Sequence, residues 1–423
     1  MNPRPILIVT LINLVGTVSL LLCLAPYAAG QGIPMGAPEE VGLSSERLQR
    51  ISPVMRSYVD RGKLAGVMTM IARRGKVVHF EKFGHKDIAA DKPMEFDTIF
   101  RIYSMTKPIT SVAIMMLYEE GRFQLNDPVS KFIPEFKDLK VFKNETEDGI
   151  ELAYTKREMT IRDLLTHTSG LTYGWGDGPV DKMYQQAKLF DPKDTLKDAV
   201  GRLSRIPLLH QPGTTWEYSV STDVLGYLVE VISGVSLDVF LEERIFKPLE
   251  MVDTGFSVPD EKAGRYAALY KPDDKTGLEI VYTPPLATDQ RTFFFSGGGG
   301  LVSTASDYIR FSQMLLNGGE LEGVRILGRK TVELMTMNHL PPGLHPFNQQ
   351  GAGFGLGVRV ITDVAETETV GSVGAFGLGG AASTVFWVDP EEELIGLLMT
   401  QLLANPYPFQ QQFKVLTYQA IVD

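Results

Sequence analysis

The stretch Ser104-Met105-Thr106-Lys107-Pro108-Ile109-Thr110 follows a strand-like run, Thr98 to Tyr103, and opens a helix-like run that ends near Gly121. Proline is well tolerated in the first turn of a helix, because the amide it lacks would have no partner within the helix there. Residues three apart share a helix face, so the Ser104 hydroxyl and the Lys107 amine can meet. The stretch therefore predicts a strand, a turn and a helix that together hold a serine–lysine pair.

Such a pair could carry out nucleophilic catalysis, with the helix N-terminus and the Ser104 amide facing a developing oxyanion. Serine needs a base, and Lys107 could be that base only as the neutral amine. Its pKa would then have to fall from about 10.4 towards about 7 to 8. The alternative is the start of a surface helix with an exposed lysine, and this segment alone does not separate the two interpretations.

A tyrosine stands before a second helix-like run, in Trp216-Glu217-Tyr218-Ser219-Val220-Ser221, and that helix is expected from Asp223 to Ser233. Near a serine–lysine pair, its phenolate would be stabilised by the lysine cation and could act as a general base. As a phenol it could return the proton to the leaving group. A tyrosine packed in the core is the alternative.

Other catalytic and metal-binding patterns are absent from the sequence, which has no H-E-x-x-H and no G-x-S-x-G. The glycine run from Gly297 to Gly300 lacks the Lys-Ser/Thr of a phosphate loop and indicates tight backbone packing. No metal or cofactor is predicted. The histidines show no metal-ligand spacing, and structural roles are expected for His79, His85, His167, His210, His339 and His345.

The composition excludes several classes of protein. Of the 423 residues, 44% are hydrophobic and 22% charged, which argues against a disordered, collagenous or multi-span membrane protein. The formal net charge of −10 makes nucleic acid a poor partner, because an acidic surface repels phosphate. The single cysteine, Cys23, excludes a disulfide framework and a cysteine-rich zinc site.

The N-terminus has the pattern of a secretory signal. Ile6 to Ala25 is almost wholly apolar, and Ala28-Ala29-Gly30 offers small residues for cleavage that would leave Gln31 first. The apolar run is longer than usual for a signal, so an uncleaved membrane anchor is the alternative. We expect residues 1–30 to direct the protein to the periplasm or out of the cell.

Strand-like runs lie towards both ends of the chain, with helix-like runs between them. Two pairs of runs separated by turn residues predict hairpins: Val67 to Ala72 with Lys76 to Phe80, and Ser383 to Val388 with Leu394 to Thr400. Further helices are expected at Thr160 to His167 and Phe409 to Ile421. The order predicts an α/β (α+β) fold with one antiparallel sheet built from both termini. An α/β lobe (about 31–102 and 295–423) would carry an inserted, mostly helical lobe (about 103–294).

In their order, the motifs resemble those of the serine β-lactamase-like hydrolases, most closely the family VIII carboxylesterases, which are similar to class C β-lactamases. The resemblance extends over nearly all of residues 35–423. It rests on the Ser104 and Tyr218 motifs and on three supporting phrases, residues 160–171, 298–305 and 386–390. It implies that Ser104 is acylated and that Lys107 and Tyr218 form the base system.

The third motif of the family lies on a strand near the C-terminus, and the matching stretch here is Leu378-Gly379-Gly380-Ala381. The resemblance implies that the Ala381 amide is the second oxyanion donor, beside that of Ser104. The glycines would let substrate approach the strand closely. Lys275-Thr276-Gly277 spells the β-lactamase triplet, but its turn-like surroundings and early position predict an ordinary turn.

Two departures from the family pattern bear on the substrate pocket, which is expected to include Val220, Leu378, Gly379 and Gly380. β-Lactamases usually carry Asn at the position of Val220 and Lys at that of Leu378, and both groups hold polar parts of a β-lactam. An apolar pair does not supply that recognition, which favours a neutral ester. The aromatic residues Tyr173, Trp175 and Phe293 to Phe295 could line an apolar pocket or simply pack.

The sequence as a whole predicts an exported serine carboxylesterase that cleaves short-chain esters through an acyl-enzyme. Alternatives on the same fold are a β-lactamase, a D-alanyl peptidase, and an amide hydrolase or acyltransferase. A non-catalytic sensor of penicillin or peptidoglycan fragments is the alternative from another class. The expected partner is a small-molecule ester.

Overall fold

The computed structural model describes residues 32–147, 149–281 and 294–423. The predicted signal segment, Cys23 and Phe293 lie outside these residues. The strands are β1 (Gly66–Arg73), β2 (Lys76–Asp87), β3 (Lys92–Pro93), β4 (Phe100–Arg101), β5 (Lys140–Thr146), β6 (Gly149–Tyr154), β7 (Tyr270–Asp273), β8 (Gly277–Ile280), β9 (Val302–Ser303), β10 (Glu320–Leu321), β11 (Val324–Arg325), β12 (Ala352–Phe354), β13 (Arg359–Ile361), β14 (Phe376–Gly379), β15 (Val385–Asp389) and β16 (Leu394–Thr400).

The α-helices form a separate set, several of them between β4 and β9. They are α1 (Ser45–Leu48), α2 (Ile51–Asp60), α3 (Thr106–Glu119), α4 (Ile161–Leu165), α5 (Pro179–Ala187), α6 (Leu196–Leu203), α7 (Ser221–Ser233), α8 (Leu237–Leu241), α9 (Ala305–Leu316), α10 (Arg329–Met335) and α11 (Phe409–Tyr418). Within the described ranges no single helix is long and apolar enough to cross a membrane, although α7 and the bent segment Leu237–Phe246 reach that length and hydropathy together.

One antiparallel sheet is built from both ends of the chain, which confirms the predicted fold class. Its strand order is β12-β13-β14-β15-β16-β1-β2-β3. Strand β16 lies against β1, with Val67 opposite Thr400. The β1–β2 hairpin turns at Arg74 and Gly75, whose φ values of 50° and 73° are those of a tight two-residue turn.

Both faces of the sheet centre are covered, because every residue of β1 and β16 is buried. Successive side chains of a strand point to opposite faces. Val67 and Ile71 pack with α2 and α11, whereas Met68 and Met70 face the larger core that contains α3. The whole run from Thr106 to Leu117 in α3 is buried, so this helix lies inside the protein.

Two predicted elements are shorter than expected, for local reasons. The helix expected at Thr160 to His167 is only α4, because the Thr160 side chain caps its start and His167 has a φ of 56° that ends the helical path. The run from Thr98 to Tyr103 contributes only β4, because the chain turns at Tyr103–Met105 into a single 3₁₀ turn before α3.

Candidate active site

Ser104 lies at the sharp turn between β4 and α3. Tyr103, just before it, has a φ of 42°, in the left-handed region that non-glycine residues seldom adopt. Backbone strain of this kind persists only where the surrounding structure enforces it, and it is concentrated at functional sites. The turn leaves the serine half-buried on the wall of an open cavity.

Lys107 is fully buried one helical turn after the serine, as the spacing predicts. Its Nζ atom donates hydrogen bonds to Ser104 Oγ at 3.2 Å, to the Tyr173 hydroxyl oxygen at 2.9 Å and to the Gly298 carbonyl oxygen at 2.7 Å. An ammonium group has three donors and no acceptor. The three contacts therefore match the charged form of the lysine.

The electrostatic surroundings of Lys107 also favour the charged form. Burial disfavours the ammonium, but the surrounding oxygens of Tyr173, Tyr218 and Asp223 favour it more strongly, and the pKa of Lys107 is raised above its ordinary value. A lysine that takes the proton of serine needs a lowered pKa. The pKa of Lys107 is raised instead of lowered, so this lysine suits the role of a cation that stabilises a phenolate.

Tyr173 is the residue at this site whose polar role the sequence analysis missed. Its ring stacks on Trp175, with centroids 4.6 Å apart and planes 11° from parallel. Burial raises the pKa of its hydroxyl, and the Lys107 charge opposes that rise. Tyr173 and Lys107 are far apart in sequence, and no spacing signal links them. Only the aromatic character of Tyr173 and its place after the supporting phrase 160–171 could have drawn attention to it.

Tyr218 lies next to Tyr173, with ring centroids 5.6 Å apart, and also borders the lysine. Lys107 Nζ lies 4.5 Å from the centroid of its ring, and the tyrosine lines the cavity together with Ser104. His167 supports the ring from behind, with centroids 4.8 Å apart, and its Nδ1 accepts a hydrogen bond from the Ser219 amide. Burial and the Lys107 charge lower the pKa of His167, so this histidine is neutral. It holds the Tyr218 segment in place.

The glycine run packs tightly, as predicted, and it also contributes the carbonyl that accepts from Lys107. A Cβ atom at Gly298 would lie 2.5 Å from Asp223 Oδ2 and 3.0 Å from the Tyr173 hydroxyl oxygen. Asp223 is buried, and its Oδ1 accepts from Ser296 Oγ at 2.5 Å and from the Gly298 amide at 3.1 Å. Asp223 therefore fixes the loop that holds the lysine.

The end of β14 lies against the segment that precedes Ser104. The Gly380 amide donates to the Thr384 carbonyl at 2.8 Å, and a Cβ atom at Gly380 would lie 2.4 Å from the Ile102 carbonyl oxygen. Ala381 follows on this turn and lines the same cavity as Ser104. Among the described residues, none accepts a hydrogen bond from the Ala381 amide.

The expected pocket residues do not all reach the cavity. Leu378, Gly379 and Gly380 line it, but Val220 does not, because its side chain is 2% exposed and packs in the core at the start of α7. The expectation that Val220 faces substrate is thus corrected. Phe294 and Phe295 likewise lie outside the cavity lining.

The literal triplet Lys275-Thr276-Gly277 lies in the turn between β7 and β8, as predicted. Asp273 Oδ1 accepts from the amides of Lys275 and Thr276 at 3.0 and 2.7 Å. The triplet is not part of the cavity lining. It forms an ordinary hairpin turn.

The cavity has a volume of about 1080 Å³, and aromatic side chains border the part next to Ser104. Trp175 is 73% exposed at its edge, and Phe347 contacts the Tyr218 ring with centroids 5.3 Å apart. Ligand cavities are typically apolar with a few convergent polar groups. Ser104, backed by Lys107 and Tyr218, is such a convergence.

Comparisons with known proteins agree with this geometry. The Beta-lactamase family model matches residues 51–416. Protein Rv1367c of Mycobacterium tuberculosis strain H37Rv is 38% identical over 358 residues, 82% of this chain and 88% of that protein. Esterase EstB of Burkholderia gladioli is 30% identical over 372 residues, 83% and 89% of the two chains. The solved structure of EstCE1, a hydrolase with promiscuous acyltransferase activity, has a TM-score of 0.75 at 26% identity and covers 88% of this chain and 99% of that chain.

The similarity to EstB and EstCE1 confirms the resemblance predicted from the motifs. With the family model matched along most of its length, the chain belongs to the Beta-lactamase family and is a serine hydrolase of that fold.

Proposed function

We propose that the protein is a serine carboxylesterase that hydrolyses short-chain esters through an acyl-enzyme on Ser104. The observation that carries the proposal is the position of Ser104 Oγ, 3.2 Å from the buried Lys107 ammonium and on the wall of an open cavity. The turn with Ala381 lines the same cavity. The name of EstB supports ester chemistry at this site, and the description of EstCE1 supports hydrolysis and acyl transfer.

In this mechanism Tyr218 is the general base and acid. It lines the cavity, whereas Tyr173 is half-buried outside the cavity lining and holds the lysine. The Tyr218 phenolate takes the Ser104 proton as Oγ bonds to the ester carbonyl carbon. The amides of Ser104 and Ala381 donate to the resulting oxyanion. The carbon–oxygen bond to the alcohol then breaks, and the alcohol leaves with the proton from Tyr218.

Deacylation repeats these steps with water in place of serine. Tyr218 accepts a proton from the water as its oxygen attacks the acyl carbon, and it returns that proton to Ser104 Oγ as the ester to the enzyme breaks. Lys107 keeps its proton throughout and stabilises the phenolate by its charge. The role of the lysine is thus electrostatic.

The wall beside Ser104 favours an ester over a β-lactam. The resemblance places Leu378 where β-lactamases carry the lysine that pairs with the substrate carboxylate. Its side chain is 6% exposed and packs into the larger core. No cation is therefore supplied by this position to hold a carboxylate next to the reacting bond.

The test compares the purified protein with a Ser104→Ala variant on p-nitrophenyl butyrate and on a chromogenic cephalosporin. Ester turnover that the variant lacks, with little cephalosporin turnover, is the expected result. Cephalosporin turnover at or above the ester rate would favour a β-lactamase. If neither is turned over, labelling of Ser104 by a fluorophosphonate separates a peptidase or amide hydrolase from a non-catalytic sensor.

We also propose that the protein acts outside the cytoplasm, because residues 1–30 have the composition of a secretory signal. Mass spectrometry of the protein recovered from the cell envelope and from the medium tests this. A first residue at Gln31 is expected. An intact N-terminus in the membrane fraction would indicate an anchor instead.

A further inference from the structure

The cavity that opens at Ser104 continues to a second region that the proposed mechanism does not use. It extends past Gly377 to Arg359, on the neighbouring strand β13, and to Lys414, on helix α11. Arg359 lies opposite Gly377 in the sheet, and Gly377 precedes Ala381 by four residues. At the rise of an extended strand, the two residues from Gly377 to the end of β14 separate the basic region from the oxyanion turn by roughly 7 Å or more.

Neither cation has an ionic partner among the described residues. No carboxylate lies within 4.0 Å of Arg359 or of Lys414 in those parts of the chain. Arg359 Nε is buried without a hydrogen-bond partner. By contrast, the buried Arg73 is paired with both Glu392 and Asp423. A half-buried cation that is left unpaired costs stability, so an external anion would be stabilising here.

Acidic groups near the basic region compensate its charge only in part. Glu366 and Glu368 line the cavity but are exposed, where solvent screens their charge. The charge of Asp389 favours the Lys414 cation, but the two form no ion pair, and Asp389 Oδ2 accepts a hydrogen bond from the Tyr418 hydroxyl at 2.6 Å. Burial and the Arg359 charge lower the pKa of Lys414 to about 8, which a bound anion would reverse.

We propose that Arg359 and Lys414 form a carboxylate subsite, so that the preferred substrate is an ester with a carboxylate remote from its reacting bond. This rests on the proposed function and narrows its substrate class. The position of Leu378 supplies no cation for a carboxylate next to the ester, and the basic region accepts one farther along. The fully neutral ester favoured by the sequence would then be a poorer substrate than its anionic counterpart.

The experiment measures kcat/KM for p-nitrophenyl monoesters of succinate, adipate, suberate and sebacate against their neutral methyl-capped counterparts. A second arm uses the butyrate ester of 6-hydroxyhexanoic acid, which carries the carboxylate on the alcohol side. We expect one arm to show a preference for the anionic ester of about 10-fold or more, with an optimum at one chain length. Arg359→Gln and Lys414→Gln should each reduce that preference, and high salt should reduce it too.

The matched control is Lys137→Gln, which removes an exposed lysine outside the cavity lining. This variant should keep the wild-type ratio of kcat/KM for the anionic ester to kcat/KM for the neutral ester. Equal ratios in the wild type, Arg359→Gln and Lys414→Gln, with neutral esters still turned over, would overturn the subsite and leave the esterase proposal in place.

A binding measurement covers the case in which no ester is turned over, which would overturn the esterase proposal itself. Calorimetry with monomethyl suberate on Ser104→Ala and on Ser104→Ala/Arg359→Gln tests the subsite without catalysis. Affinity at least about 10-fold weaker in the double variant supports the subsite. Equal affinity, or no binding to either variant, overturns it.

Discussion

Lys107 Nζ lies 2.9 Å from the Tyr173 hydroxyl oxygen, closer than the 3.2 Å that separates it from Ser104 Oγ. The lysine is therefore held by a half-buried tyrosine and a backbone carbonyl, and it offers its third hydrogen to the nucleophile. Such an arrangement fixes a positive charge beside the serine and beside the Tyr218 ring. It assigns the two tyrosines different tasks.

Replacing each tyrosine by phenylalanine should separate these tasks. Tyr218→Phe removes the proposed proton carrier and should lower kcat by about 10²- to 10⁴-fold. Tyr173→Phe removes a partner that raises the pKa of Lys107, so the alkaline limb of the pH–rate profile should move to lower pH with a smaller loss of kcat. Steady-state kinetics from pH 6 to pH 11 measure both, and the wild-type limb is expected above pH 10 because the pKa of Lys107 is raised. A larger loss of kcat in Tyr173→Phe would make Tyr173 the proton carrier.

Asp223 should also affect the pH at which the alkaline limb of the pH–rate profile lies. Its negative charge raises the pKa of Lys107, and its Oδ1 holds the Gly298 amide. Asp223→Asn keeps an acceptor oxygen but removes the charge. The Lys107 ammonium should then be lost at a lower pH, with the alkaline limb moved down by about one unit. The exposed Asp274, changed to Asn, is the matched control, and an unmoved limb in Asp223→Asn would show that the charge plays no part.

The contact between Ser104 and Lys107 could be predicted from the sequence, because residues three apart at the start of a helix lie on the same face. The hairpins were also predictable, since β1–β2 and β15–β16 are local units with turn residues between them. The hydrogen bond between Lys107 and Tyr173 was not, because it depends on tertiary packing of α3 against a distant loop. For Val220 the prediction was wrong. Its position in a motif suggested that it faces substrate, but the residue lies buried in the core at the start of α7.

His79 should make the stability of the fold depend on pH. It lies in β2, buried, with its Nε2 atom 2.8 Å from Thr69 Oγ1. Burial lowers the pKa of His79 to about 4, opposed by the charge of Glu81. The neutral ring therefore stabilises the fold above the unfolded-state pKa of about 6.5, and up to about 3 kcal/mol is lost as pH falls from there through about 4.

Urea unfolding at pH 7 and at pH 4.5 checks this dependence. His79→Gln cannot become charged, so its free energy of unfolding should fall less between the two pH values than that of the wild type. His345→Gln, at a half-buried loop position, is the control and should retain the wild-type loss. If the free energy of unfolding fell equally in His79→Gln and in the wild type between pH 7 and pH 4.5, groups other than His79 would cause the loss.

The turn after β14 offers a test of the oxyanion site that leaves every catalytic side chain in place. At Gly380 a Cβ atom would lie 2.3 Å from Thr384 Oγ1 and 2.4 Å from the Ile102 carbonyl oxygen, so Gly380→Ala must displace the turn that carries the Ala381 amide. At Gly379 the nearest atom, the Thr384 carbonyl oxygen, would be 3.3 Å away, so Gly379→Ala needs only a small adjustment.

Loss of one oxyanion donor costs about 10²- to 10³-fold in kcat. Gly380→Ala should approach that loss, and Gly379→Ala should fall well short of it. Thermal unfolding of both variants shows whether the fold is retained, and fluorophosphonate labelling reports the Ser104 nucleophile. If a folded Gly380→Ala variant kept the wild-type kcat, the Ala381 amide would not be a donor to the oxyanion, because its displacement would have had no effect on the transition state.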